Sequence, residues 1–200
     1  MRLHEYRVFF MGAIGILTLL VASPALSRLL VYPRTEFFTE LWILGPNHNA
    51  ENYPFNISSN HNYNVFLGIG NRLGHFAYYL VEVKFRNQTQ SAPNSFNRTS
   101  SSLPSLFSIP VFVADEGVWE LPVTFSFDYA YNQNLSRVDF YSLTLNDVAL
   151  SLRGSMISIN LTRNVFLGNL FFELWIYNAT TSSFRYHERS VGLWFNMTSS

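Results

Sequence analysis

The chain has 200 residues, with 13 Lys and Arg against 13 Asp and Glu, so its formal net charge is zero and only 13% of it is charged. That balance offers no field to nucleic acid or to an acidic surface, and no nucleic-acid partner is expected. With no cysteine, disulfides, zinc-thiolate sites and a thiol nucleophile are excluded. Aromatic residues make up 17%, a composition that suits strands and extended surfaces.

The first element is the uncharged run at residues 8–27, VFFMGAIGILTLLVASPALS, which as a helix of about 30 Å matches the hydrocarbon core of a bilayer. Arg2 and Arg7 precede it as the positive region of an export signal, and Ala25 and Ser27 have the spacing for cleavage after Ser27. The run is longer than a usual signal core, and residues 29–32 extend it to an interfacial tyrosine. A retained transmembrane signal-anchor over residues 8–32, in contact with the lipid bilayer, is therefore preferred over a cleaved leader. Arg28 and Arg34 nearly balance the positive-inside signal. The glycosylation acceptors break the tie, since Asn56, Asn87, Asn97, Asn134, Asn160, Asn178 and Asn196 all follow the apolar run where composition alone yields about three such triplets. Residues 1–7 are thus expected in the cytoplasm, and residues 33–200 outside the cell membrane as one domain with a sizeable core.

That domain reads as short alternating runs. Residues 35–44 come first, closed by Gly45-Pro46. Residues 63–70 and 75–86 alternate in the same way and, being joined by a short Gly-containing link, are expected to form a hairpin. Residues 87–105, NQTQSAPNSFNRTSSSLPS, are read as a long exposed loop too polar to order itself. Residues 106–114 contain Pro110 and so predict an edge strand. Residues 118–129 put Trp119, Leu121, Val123, Phe125, Phe127 and Tyr129 on one face. Further strands are expected at 138–145, 148–152, 155–161, 169–177 and 189–195. Eight to ten strands with no amphipathic helix predict an immunoglobulin-like antiparallel β-sandwich after one transmembrane helix. Trp119, Phe125, Phe127 and Trp175 are assigned to the core, and Tyr78, Tyr131 and Tyr186 to the outside.

The segments FFTELWILGP and AENYP, the hairpin-like run ending VEVKFRNQT, and FFELWIYN with YHERSVGLWFNMT resemble the prokaryotic, largely archaeal membrane proteins grouped as domain of unknown function 1616. The resemblance runs from about residue 35 to 198. It implies an extracytoplasmic β-sandwich with no established activity, and it adds no catalytic residue.

Chemistry is sparse in the sequence. His48, His61, His75 and His187 are dispersed without a metal-binding array, so no metal site is expected. His187-Glu188 reads as a polar turn at a strand end, and no G-x-S-x-G elbow occurs. Gly68, Gly70 and Gly74 lack the helix that a dinucleotide loop requires, so no cofactor is expected. Glu36 with Glu40 and Glu116 with Glu120 stand four apart, about 13 Å along a strand and beyond the reach of paired-carboxylate glycoside hydrolysis. Asp115-Glu116 has no D-x-D-x-D-G calcium array around it. No catalytic residue is assigned. The expected role is a non-catalytic cell-envelope binding or interaction module, with a glycan or a protein as partner. The alternatives are an envelope enzyme whose carboxylates meet only on folding and an accessory subunit of a membrane complex. Gly12 and Gly15 lack the four-residue spacing of close helix packing.

Overall fold

A computed structural model describes residues 3–29, 36–132, 137–151 and 166–198. The chain divides into two units, residues 1–37 and 38–200. The first contains helix α1 (Leu3–Leu29), with Pro24 inside it. Phe9, Phe10, Met11, Ile14, Ile16, Leu17, Leu19, Leu20 and Val21 are exposed along it, so it is apolar all round rather than on one stripe. Among the residues whose side chains are described, which within it are 6, 7 and 9–24, no helix is long and apolar enough to cross a membrane. The apolar run in the sequence extends beyond that stretch on both sides.

The second unit holds strands β1 (Phe38–Leu44), β2 (Asn56–Ile57), β3 (Tyr63–Arg72), β4 (Ala77–Asn87), β5 (Phe107–Val113), β6 (Val118–Asn132), β7 (Arg137–Leu145), β8 (Val148–Ser151), β9 (Leu167–Asn178) and β10 (Ser183–Met197). They form two five-stranded sheets, β1-β3-β6-β7-β8 and β2-β10-β9-β4-β5. The adjacencies β1-β3-β6 and β10-β9-β4-β5 match A-B-E and G-F-C-C′ of an immunoglobulin sandwich. One departure is that the strand beside β6 follows it in the chain, as a β6-β7-β8 meander. The expected strand at residues 155–161 lies outside the described residues, and β2, two residues paired parallel to β10, was not expected.

Alternation builds the core as predicted in β4 and β6. Ala77, Tyr79, Val81, Val83 and Phe85 point inward from one, and Val123, Phe125, Phe127 and Tyr129 from the other, all buried. Phe125 and Phe127 pack against Phe195 at 5.2 and 5.8 Å between ring centroids. Trp119 and Trp175 are only half-buried, and so are Tyr78, Tyr131 and Tyr186, because their positions fall at strand ends or on the outer face. Pro110 sits in β5, at the edge of its sheet as expected, where its missing N–H costs no ladder bond.

The expected hairpin between residues 63–70 and 75–86 does not form, since β3 and β4 belong to different sheets. Asn71 makes the crossing. Its buried side-chain amide donates towards the carbonyls of His75 (2.8 Å), Val113 (3.0 Å) and Ala114 (3.2 Å), and its Oδ1 accepts from Leu73 N (3.1 Å) and Tyr79 Oη (3.2 Å). Gly74, at φ 80°, supplies the left-handed residue of the corner. Meanwhile both edges of β3 are taken by β1 and β6, which leaves β4 no place beside it. Gly68 and Gly70 serve packing instead of a ligand. A Cβ on Gly68 would meet the Trp42 ring, and one on Gly70 the Glu40 carboxylate, so each lets a β1 side chain lie flat over β3.

Candidate functional site: the outer face of the β10-β9-β4-β5 sheet

Because β4, β5, β9 and β10 alternate, the residues between the core positions line up in rows across the outer face. At one end, Phe112, Tyr78, Tyr177 and Phe184 make a row of rings across four strands. Tyr78 stacks on Phe112 at 4.0 Å and meets Phe184 at 5.0 Å and Tyr177 at 5.8 Å. Phe112 is 73% exposed, and the neighbouring Phe76 is 75% exposed. A groove of about 430 Å³ opens here, with His75, Asn178 and Arg185 in its wall. At the opposite end, Arg86 stacks on Trp194 at 4.7 Å. Trp194, Phe55, Tyr53 and Val191 help line a second groove of about 420 Å³.

Between the two ends lies a covered ionic cluster. Glu82 and Glu173 are cross-strand neighbours, and Lys84 Nζ bridges them at 3.1 and 2.8 Å. Glu173 is fully buried and Lys84 is 3% exposed. The segment at 87–105 covers them. Ser101 N donates to Glu173 Oε1 (2.6 Å), and Lys84 Nζ donates to Ser101 O (3.1 Å). The segment is further tied by Asn87 Oδ1, which accepts from Thr89 N, Thr89 Oγ1 and Gln90 N at 2.9–3.0 Å, and by Arg98 against Glu188 at 3.4 Å. The stretch read as too polar to order itself is therefore pinned, by hydrogen bonds to buried charge rather than by apolar contact. Glu82, Lys84 and Glu173 were missed in the sequence, although a signal existed: Lys84 is the only lysine in the chain. Trp175 lies 5.9 Å from its ammonium. Burial raises the Tyr186 phenol, whose ring packs on Trp175.

His187-Glu188 is not a terminal turn. The register of β10 slips between Tyr186 and Arg189, and Glu188 takes φ 59°, so the pair forms a bulge inside the strand. His187 Nε2 lies 2.7 Å from Thr39 Oγ1, which is 3.0 Å from Tyr79 Oη, and this chain continues to Asn71. Burial, with Arg189 and Arg185 nearby and Glu188 opposing, lowers the His187 pKa to about 4. Three of the four glutamates weighed for chemistry are matched by bases: Arg72 meets both Glu40 (3.8 Å) and Glu116 (2.8 Å), and Glu120 meets His48. Asp115 Oδ1 accepts from Gly74 N (2.8 Å). Among the described residues no cluster of three potential metal ligands occurs.

The glycosylation acceptors differ in their surroundings. Asn97 is exposed at the tip of the 87–105 segment, whereas Asn87 is buried. Asn56 and Asn196 are hydrogen-bonded to each other at 2.8 Å, and Asn196 Oδ1 also accepts from Phe166 N (3.2 Å). Asn178 is half-buried at the end of β9, where its Oδ1 accepts from Thr180 N (2.9 Å). Asn134 and Asn160 lie outside the described residues.

No curated protein matches the sequence. Among solved structures, the ASH / PapD-like domain of human CEP192 (PapD-like domain 7) is similar, with a TM-score of 0.32 and 10% identity over 86% of this chain and 93% of that one. A likeness that low bears on neither fold nor function. The family described as "Domain of unknown function (DUF1616)" matches residues 33–141, more than half of the sequence, and the chain belongs to it.

Proposed function

We propose that the chain is a membrane-anchored, extracytoplasmic β-sandwich that acts as a non-catalytic binding or interaction module of the cell envelope. The uncharged run before the sandwich and the acceptor triplets after it support the placement. The recognition reading is carried by one observation, the exposed rings of Phe55 (51%) and Trp194 (37%) beside the second groove. Rings of this kind give large contact area at little entropic cost, which is why aromatics dominate binding surfaces.

One observation favours an enzyme: folding brings Glu82 and Glu173 side by side. Against it, Lys84 bridges the two carboxylates and Ser101 closes over Glu173, so substrate has no approach to Glu173 while the 87–105 segment is seated. The test is cross-linking in the host membrane, comparing the wild-type chain with Phe55→Ser/Trp194→Ala. The reading expects a partner recovered in stoichiometric amount with the wild type and lost in the variant. Equal recovery from both, or the chain alone from both, contradicts it.

A further inference from the structure

We propose that Asn178 carries an N-linked glycan and that the aromatic groove beside it is the seat of that glycan's first sugars. The inference rests on the extracytoplasmic placement proposed above. Phe76 and Phe112 are each about three-quarters exposed and line one groove with Tyr78 and Tyr177, an aromatic cluster of the kind that marks an interaction site. The group that occupies it has an attachment point in the wall of the groove. Asn178 lines it alongside Tyr78, Phe112 and Tyr177, and Asn178-Ala179-Thr180 is an acceptor triplet in the turn between β9 and β10. Asn178 Oδ1 accepts from Thr180 N, while among the described residues its Nδ2 makes no hydrogen bond. That nitrogen is the atom to be modified.

In the transfer, Asn178 Nδ2 bonds to the anomeric carbon of a lipid-linked glycosyl phosphate. The bond from that carbon to phosphate oxygen breaks, the lipid phosphate leaves, and the Nδ2 proton passes to the host transferase. A sugar held on Nδ2 starts at the edge of the rings, and tethering raises its effective concentration there. Weak contacts between its C–H face and Phe112 or Tyr177 then suffice to seat it. Polar partners for its hydroxyls are present. His75 Nδ1 donates to the Leu73 carbonyl at 3.0 Å, so its Nε2 is the ring nitrogen left to meet a sugar hydroxyl. The Arg185 guanidinium stands in the same wall, without an ion pair among the described residues.

The other described acceptors lack this arrangement. Asn87 is buried with its Oδ1 held by three donors. Asn56 and Asn196 bond to each other. Asn97 is exposed but lines neither aromatic groove.

Glycopeptide mass spectrometry on the full-length protein purified from its host tests the attachment. The expected result is a mass increment on the Asn178 peptide, absent in Asn178→Gln, with Asn87 and Asn196 unmodified. A bare Asn178 beside a modified Asn56 or Asn97 overturns the proposal and leaves the exported reading standing. A chain bare at every acceptor also overturns it, and labelling of intact cells then shows whether the placement fails too. The seat is tested by Phe112→Ala in both backgrounds. It should lower Tm by at least about 2 °C more in the glycosylated chain than in Asn178→Gln. Equal shifts overturn the seat.

Discussion

Replacing Lys84 by methionine removes the cation from a site where Glu173 is fully buried and Glu82 stands opposite it. Uncoupling a buried ion pair in this way costs about 3–5 kcal/mol, because the remaining carboxylate keeps its desolvation penalty without its partner. Glu173→Gln should cost less, about 1–2 kcal/mol, since Lys84 keeps Glu82 at 3.1 Å and the amide oxygen can still accept from Ser101 N. The double variant should be more stable than Lys84→Met alone. Urea unfolding of the full-length protein followed by tryptophan fluorescence reads all three, Trp175 being 5.9 Å from the ammonium. Because Lys84 is the only lysine, amine-reactive labelling gives an independent readout. It should be protected in the native protein and become reactive in Ser101→Pro, which removes the N–H that holds the covering segment down. A Lys84→Met cost below about 1 kcal/mol, or rapid labelling of the native chain, refutes the account of this cluster.

Three further outcomes follow from the same geometry. The His187 pKa is about 4 when folded and 6.5 when free, so the unfolded chain takes a proton that the native one refuses. Stability should therefore hold above about pH 6.5 and fall by about 1–3 kcal/mol between pH 6.5 and 4, allowing for partial exposure. His187→Gln should flatten that slope in pH-dependent urea melts, and an unchanged slope contradicts the assignment. Gly68→Ala places a Cβ against the Trp42 ring and should cost about 1–3 kcal/mol, relieved by Trp42→Ala in a double-mutant cycle; additivity would show that the ring is not the obstacle. Tyr129→Phe removes a hydroxyl 2.7 Å from Ile57 O and 2.8 Å from Thr198 O. Thermal melts should show a loss of about 1–2 kcal/mol, and hydrogen exchange should show faster opening at Met197 and Thr198.

The two-layer architecture was legible because strands half-buried in a sandwich announce themselves by period-2 alternation, as in residues 77–86 and 118–129, and because Pro110 marks an edge. Pairing was less legible. The link between β3 and β4 has turn chemistry that fits a hairpin or a sheet-to-sheet corner equally well, and what decides is the set of carbonyls that Asn71 reaches, residues 113 and 114, about forty positions away. Such long-range contacts leave no local periodic trace. The ionic cluster was hidden for a related reason. Glu82 and Lys84 read as the solvent side of β4, and only the polar segment after β4 folding back over them turns that side into an interior. The bulge at His187 was equally hidden, since a two-residue insertion inside a strand has the composition of a turn.

Since the chain contains no cysteine, the placement on which the functional reading depends can be tested with single introduced thiols. Phe96→Cys lies at a position 93% exposed in the 87–105 segment, and Arg2→Cys lies before the apolar run. Intact cells treated with a membrane-impermeant maleimide should label Phe96→Cys, and should label Arg2→Cys only after permeabilisation. Labelling of Arg2→Cys but not Phe96→Cys in intact cells, or protection of both, would contradict an anchored sandwich facing the outside.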